Sequence, residues 1–243
     1  MTTQYYLYAI TNHSITLPTD LQGLYAQPLL IQNIAGINVL YSLYPEAEFL
    51  PVPSIRQNLL KHQQTVETLY AQANILPMKF GTVQTLEQMK TLLAEKASEF
   101  QASLLYFEDK TEVVIKGFWN DMTPVYAEIL QRTPAVAEFR NKISSGMIPN
   151  TQNNLIEVGQ MVANALAQHK VYIQNLYLQA FSKITVAVLP QETSHDTLFL
   201  NIALLIPKGQ VSTFETTLNN LPTSQDKNVK IKYFGAAPPN HFL

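Results

Sequence analysis

Histidines and a few close acid pairs are the side chains in this 243-residue chain that could carry acid–base chemistry. His62 is the sharpest candidate, because it falls on the apolar face of a predicted helix, where it could act as a base or a ligand. Glu67 lies five residues away on another face, which makes it a poor partner. A structural role for His62 is therefore preferred, since an inward-facing polar ring must be hydrogen-bonded inside the fold.

His195 and Asp196 stand next to each other in a Ser/Thr-rich stretch between two predicted strands. Adjacent residues rarely form a catalytic dyad, and the chain has no Gly-x-Ser-x-Gly nucleophile elbow. A solvated turn is the preferred interpretation of this pair. The other histidines are scattered without metal-ligand spacing: His13, His169 and His241.

The remaining candidate chemistry is equally sparse. Glu46 with Glu48 and Glu108 with Asp109 flank predicted turns, and neither pair has the apolar surroundings that would separate two carboxyl pKa values. The chain has no cysteine, which excludes disulfides, thiolate nucleophiles and Cys-ligated metals. Gly81 stands alone, and the eight glycines form no phosphate-binding loop. We therefore predict no catalytic, cofactor-binding or metal-ligating residues.

Composition favours a protein that associates with other protein surfaces. Charged residues make up 14% of the chain and its net charge is -2, so there is little electrostatic repulsion between molecules. A pI near 6.2 and the lack of a Lys/Arg cluster argue against nucleic-acid binding. No signal peptide is recognised, and the longest apolar run, residues 202–206, is far short of a membrane span of about 20 residues. We expect a soluble, cytoplasmic protein.

Helical periodicity predicts several amphipathic helices. Three of them are predicted to start at capping boxes, formed by Ser54 with Gln57, Thr85 with Gln88, and Ser212 with Glu215. The first of these helices has a predicted apolar face made of Ile55, Leu59, His62, Val66, Leu69 and Ala73. Further helices are predicted at residues 125–131, 135–142 and 153–168. Gly159 lies inside the last one, and a close approach of this helix to a sheet would explain it.

Runs rich in β-branched and aromatic residues predict the strands. They cover residues 5–10, 29–33, 37–44, 75–80, 104–107, 113–119, 171–178, 184–189, 198–206 and 229–233. The fold class is therefore α+β, with two α+β domains. Residues 1–121 form the first, and residues 122–234 form a modified ferredoxin-like βαββαβ domain with inserted helices. Residues 235–243 form an extended, Pro-containing tail.

The most specific pattern in the chain joins the first helix to the segment after it. A His and a Val lie one helical turn apart, and a Pro-Met-Lys-Phe-Gly-Thr-Val segment follows; the residues concerned are His62, Val66, Pro77, Lys79, Phe80, Gly81 and Thr82. This arrangement resembles the signature of the gas vesicle F/L protein family. Residues 6–10, 112–120 and 155–159 are also similar to the family. In the tail, Gly235, Pro238, Pro239 and Phe242 fit, whereas Ala236, Ala237 and Asn240 replace Pro, Trp and Tyr.

The resemblance implies a minor structural or accessory protein of gas vesicles, which are protein-walled buoyancy organelles, and the F-type branch is favoured over the L-type. Such a protein is expected to bind the main hydrophobic shell protein, and other minor gas vesicle proteins are further expected partners. It would support nucleation and assembly of the vesicle wall and be associated with that wall in the cytoplasm. No catalytic residues are known for the family.

Two other functions stay open. A small-molecule-sensing regulatory domain is suggested by analogy with ferredoxin-like folds alone. An enzyme that uses His62 or His195 is the weakest hypothesis. The tail also has two interpretations, because Pro238 and Pro239 stiffen it and lower the entropy lost on docking. We expect Phe242 to dock on the molecule's own surface, in the cleft between the two halves, and a free anchor for the shell protein is the competing interpretation.

Overall fold

The computed structural model describes residues 3–45 and 51–243, so the acid pair Glu46 and Glu48 lies outside the described residues. The chain forms two compact units that are discontinuous in sequence. The first unit contains Met1–Val113, Leu205–Lys208 and Gly235–Leu243, and the second contains Val114–Leu204 and Gly209–Phe234. The predicted ranges 1–121, 122–234 and 235–243 are contiguous, and they differ from these units because the chain leaves the first unit and returns to it twice.

The first unit contains an antiparallel sheet and two helices. Its elements are β1 (Gln4–Thr11), β2 (Leu29–Ile34), β3 (Ile37–Tyr44), α1 (Arg56–Tyr70), β4 (Leu76–Pro77), β5 (Val83–Gln84) and α2 (Leu86–Phe107). The strand order is β2-β3-β1-β4, and β5 also pairs with β1. The central strand β1 is buried on both faces, and its Tyr6 and Tyr8 belong to the hydrophobic core. Positive φ angles at Ala35 and Gly36 make the tight turn between β2 and β3.

The second unit is built from the remaining helices and most of a second sheet. The elements are β6 (Lys110–Trp119), α3 (Met122–Arg132), α4 (Pro134–Ser144), α5 (Gln152–Phe181), β7 (Ala187–Pro190), β8 (Leu198–Pro207), α6 (Val211–Asn220) and β9 (Val229–Ala237). The strand order is β7-β8-β6-β9, and end residues of β6, β8 and β9 count with the first unit. The α+β class is confirmed. The elements follow a βαββαβ order with inserted helices, and the ferredoxin-like assignment itself stays a prediction.

Two predicted strands are wrong. Residues 104–107 are the last turn of α2, so no hairpin precedes β6, and residues 171–178 belong to α5. The second error came from weighting the β propensity of that segment above its periodicity. Its buried residues Ile173, Tyr177 and Phe181 are spaced by four, which continues a helical face.

The helix starts and the tail also differ in part from expectation. The capping box of Thr85 and Gln88 is confirmed, but α1 follows Ile55 and α6 follows Gln210 without a side-chain cap. The first three tail residues, 235–237, are the end of β9 rather than a separate extended segment. No helix among the described residues has the length and apolar character needed to cross a membrane.

The expected reason for Gly159 is wrong as well. A Cβ atom built at this position would meet no atom within 4 Å, so α5 makes no close approach to another element there. The glycine faces open space at the eighth position of a 30-residue helix.

Candidate functional site

The helix α1 places His62 against the sheet of the first unit. Val66 and Leu69, on the same face, are 4% and 0% exposed, and the His62 ring itself is half-buried. The first turn departs from the predicted face, because Ile55 and Leu59 are exposed whereas Asn58 is buried. The side-chain amide of Asn58 is satisfied there by donating to the backbone carbonyl of Pro53, at 3.0 Å. The sequence pattern missed this residue because a buried amide has no apolar signature.

A chain of hydrogen bonds joins His62 to the turn that follows β4. The backbone N–H of Gly81 donates to the Tyr6 hydroxyl oxygen at 3.1 Å, and this oxygen lies 2.9 Å from Nδ1 of His62. The hydroxyl oxygen has two lone pairs, so it can accept from Gly81 and pair with Nδ1 in either tautomer of the imidazole.

Burial reinforces this arrangement. It lowers the pKa of His62 to about 4, and a hydrogen bond with the backbone of Met78 only partly offsets the effect. Burial also raises the pKa of the Tyr6 hydroxyl above its ordinary value, against the smaller opposing effect of the bond from Gly81. At neutral pH both groups are uncharged and paired, and neither is poised to exchange a proton with a substrate.

Aromatic rings enclose the imidazole on several sides. The His62 ring stacks on Tyr8 with the ring centroids 5.9 Å apart, and it meets Tyr6 and Phe80 edge-on at 5.7 Å each. Phe80 also contacts Tyr6 edge-on, at 6.3 Å. We call these four residues, His62, Tyr6, Tyr8 and Phe80, the signature cluster. Edge-to-face and offset geometries of this kind stabilise packed aromatic groups.

The segment after α1 is attached to β1 by its backbone. Met78 N–H donates to the Tyr8 carbonyl at 2.8 Å, and Leu7 N–H donates to the Thr82 carbonyl at 2.9 Å. Between these bonds the chain turns, with Gly81 at a φ of 87°, a conformation that L side chains rarely adopt. The predicted strand at residues 75–80 is thus reduced to the two residues of β4, followed by this turn. The buried Pro77 and the exposed Lys79 complete the predicted signature.

Sequence reasoning missed a second support of the cluster. The Tyr8 hydroxyl accepts from the backbone N–H of Leu24 at 2.7 Å and lies 3.0 Å from Oγ of the buried Ser42. Gly23 makes room for this hydroxyl, because a Cβ at that position would lie 2.1 Å from the Tyr8 oxygen. The sequence does not reveal this role of Gly23, since nothing in the local pattern links it to a tyrosine fifteen residues earlier.

The other histidines lie apart from the signature cluster. The His169 ring stacks on Trp119 at 5.8 Å, and burial lowers its pKa. His195 lies in an exposed turn, where its backbone carbonyl accepts from Lys170. In the described part of the chain, no group of three or more His, Asp or Glu side chains is placed to hold a metal ion.

The tail lies against other residues of the first unit. Glu112 is a buried carboxylate, 2% exposed, and both of its oxygens contact His241: Oε2 accepts from the backbone N–H at 2.8 Å, and Oε1 is 2.6 Å from Nδ1. The Thr111 hydroxyl donates to the Ala237 carbonyl at 3.0 Å. Two tail residues of the predicted docking set, Pro238 and Pro239, are buried.

The third residue of that set, Phe242, is half-buried, and its backbone N–H donates to the Pro239 carbonyl at 3.2 Å. Its predicted place in a cleft between the halves, and its role in fixing their orientation, stay predictions.

Comparison with known proteins identifies the family. The family model described as "Gas vesicle synthesis protein GvpL/GvpF" matches residues 4–243 of this chain. Gas vesicle protein F of Nostoc sp. is 23% identical over 248 residues, covering 100% of this chain and 98% of the relative. Gas vesicle protein F of Microcystis aeruginosa is 24% identical over 249 residues, with coverages of 100% and 98%.

Solved structures share the fold. The crystal structure of GvpF from Anabaena sp. PCC7120 has a TM-score of 0.84 at 23% identity and covers 99% of this chain and 98% of that one. The structure of GvpF from Microcystis aeruginosa has a TM-score of 0.81 at 23% identity, with coverages of 99% and 99%. The resemblance based on the His62–Val83 segment is thereby confirmed, and the chain belongs to the GvpL/GvpF family of gas vesicle synthesis proteins.

Proposed function

We propose that this protein is a minor structural or accessory component of gas vesicles that binds the main hydrophobic shell protein and supports nucleation and assembly of the vesicle wall. The observation that carries the proposal is the match to the GvpL/GvpF family over residues 4–243. The protein acts in association with the vesicle wall, and other minor gas vesicle proteins are further partners.

The surface of the molecule is compatible with a binding role. Only 14% of the residues are charged, and many large apolar side chains are exposed. Met147, Leu105, Leu155 and Val171 each have more than half of their surface exposed. No catalytic step is proposed, because the most specific motif in the chain forms a closed, neutral cluster.

Co-expression tests the proposal directly. An affinity-tagged form of this protein is produced together with the main shell protein of the same vesicles, and the captured material is analysed by quantitative mass spectrometry. We expect the shell protein to be captured, and an unrelated tagged protein of similar size and charge serves as the control. Equal recovery of the shell protein with both baits contradicts the proposal.

A second measurement addresses assembly. Cells that lack this chain are compared with cells that produce it, and gas vesicles are counted by electron microscopy. We expect fewer vesicles, or arrested small ones, when the chain is absent. An unchanged number and size of vesicles would contradict a role in nucleation.

A further inference from the structure

Two adjoining cavities follow one face of α5 in the second unit. The larger, about 420 Å³, lies between α3, α5 and the loop that follows β7. The smaller, about 190 Å³, lies between α3, α4 and α5. Tyr126 and Val162 line both cavities, which therefore lie side by side. We call the two cavities together the α5 groove.

The α5 side of the groove is open and formed by small residues. Gly159, Ala163 and Ala167 line the larger cavity at a spacing of four, and all three are exposed. A Cβ at Gly159 would meet nothing within 4 Å, so the protein itself leaves this space empty. A mid-helix glycine costs about 1 kcal/mol of helix propensity. Nothing packed against it in the described residues accounts for that cost.

Large apolar residues extend this row at both ends. Leu155 and Val171 lie one step of four beyond it on either side and are 54% and 57% exposed. Because 3.6 residues make one turn, each step of four rotates by about 40°, so Gly159, Ala163 and Ala167 share one face over about 12 Å, whereas Leu155 and Val171 lie at its two flanks. The row carries no charged side chain. An exposed face of small residues with apolar depressions beside it fits the apolar face of another helix, which can approach closely there.

Lys170 gives the groove a chemical preference. Its ammonium group lines the larger cavity and makes one hydrogen bond within the described residues, to the His195 carbonyl at 2.9 Å. An ammonium has three donors, so two remain for an occupant. Burial lowers the pKa of Lys170, and the nearby carboxylate of Asp196 opposes this shift. In the smaller cavity the charged residue is Arg140. The two cations outnumber the single acid lining the groove, which favours an occupant with a carboxylate.

We propose that the α5 groove docks an amphipathic helix of a partner protein, whose large apolar side chains fill the two cavities and whose carboxylate binds Lys170. This inference rests on the proposed function, since the partner is taken to be the main shell protein. The helix lies over Gly159, Ala163 and Ala167. Its bulky residues enter beside Gly159 and Ala163, where the small side chains of α5 permit a close approach.

A second copy of this chain fits the groove less well. If two α5 helices packed together through this row, small residues would face small residues at its centre. Both cavities would then stay unfilled, and the lost packing contacts would leave such a dimer weak. Large side chains from a different protein would fill both cavities.

The test uses the tagged full-length protein, co-expressed with the main shell protein as the probe. Ala163→Trp fills the groove, and Ala94→Trp is its matched control, because Ala94 is an exposed alanine on the helix α2 of the first unit. Lys170→Glu reverses the charge in the groove, and Lys90→Glu does so at an exposed position of α2. Thermal unfolding of each variant verifies that it is folded before capture of the shell protein is measured.

We expect Ala163→Trp to reduce capture about tenfold or more, and Lys170→Glu to reduce it by a smaller factor, while both controls capture as the wild type does. If the wild type captures the shell protein and Ala163→Trp captures it equally well, the groove is not the docking site, although the proposed function stands. If the wild type captures no shell protein, both proposals fail. A dimer of the isolated protein that Ala163→Trp abolishes would assign the groove to a second copy and overturn the inference.

Discussion

The signature cluster of the first unit and the α5 groove of the second unit are built in opposite ways. In the cluster, His62 and Tyr6 are neutral and hydrogen-bonded, and rings surround the imidazole. Along the groove, Gly159 faces open space and Lys170 keeps unused donors. The signature cluster is therefore packed within the first unit, whereas the surface proposed for a partner carries no motif.

Adding one methyl group at Gly23, beside the Tyr8 hydroxyl of the signature cluster, should have the largest effect on stability. In Gly23→Ala the new Cβ would lie 2.1 Å from the Tyr8 hydroxyl and 2.8 Å from its Cζ, so Tyr8 must move and lose its bonds to Leu24 and Ser42. We expect unfolding free energy to fall by about 3 kcal/mol, from overpacking together with lost buried hydrogen bonds. Denaturant unfolding measures it.

The matched control for this change is Gly209→Ala, where a Cβ would meet nothing within 4 Å. It should alter the unfolding free energy by about 0.5 kcal/mol or less. Equal effects of the two substitutions would contradict the role given to Gly23.

Removing the tail after Ala237 should have the second-largest effect on the unfolding free energy. Truncation takes away both bonds that His241 makes to the buried Glu112 carboxylate. We expect a loss of about 2–3 kcal/mol in unfolding free energy, because a buried charge loses its partners. A truncated protein with Glu112→Gln should be less affected, since no charge is left behind. Unchanged stability together with lost capture of the shell protein would instead make the tail a partner anchor.

Replacing His62 by Ala should cost about 1–3 kcal/mol in unfolding free energy, because it leaves the Tyr6 hydroxyl without its side-chain partner and removes ring packing. His195→Ala is the control, since this exposed residue lies in a turn. Normal thermal stability of His62→Ala combined with failed vesicle assembly would mark His62 as a partner contact. The contrast between the signature cluster and the α5 groove would then be wrong.

The pH dependence of stability tests the same residue. The folded pKa of His62, about 4, is below the unfolded value of 6.5, so the unfolded chain binds more protons between these values. The stabilising effect of a neutral His62 is complete above about pH 6.5 and is lost as pH falls toward 4. We expect the wild type to lose more stability than His62→Gln over this window. Parallel curves would show that His62 is not buried as neutral imidazole.

The smallest effect is expected at the groove. Gly159→Ala places a methyl group in open space and improves helix propensity, so stability should rise by up to about 1 kcal/mol. Gly23→Ala and Gly159→Ala together form the sharpest contrast between the two regions, because the same chemical change should have opposite signs. A destabilised Gly159→Ala protein would mean that the groove is filled by the protein itself.

Much of this architecture could be predicted from local pattern. The capping box at Thr85 and the turn at Ala35 and Gly36 are short-range features, and both are present. The wrong predictions fall where tertiary contacts, rather than the local sequence, determine the structure. Residues 171–178 have strand propensity but continue the buried face of α5, and Gly23 depends on a tyrosine from another element. The groove could not be predicted, because its exposed residues follow no sequence signature.

Site-specific photo-cross-linking tests the central claim most directly. A photoreactive residue is placed either at Ala163, in the α5 groove, or at Lys79, the exposed residue of the signature segment, and each protein is co-expressed with the main shell protein. Both positions are exposed, so the probe should disturb neither region. The account predicts a cross-link to the shell protein from position 163 and none from position 79. A cross-link from position 79 alone would contradict it.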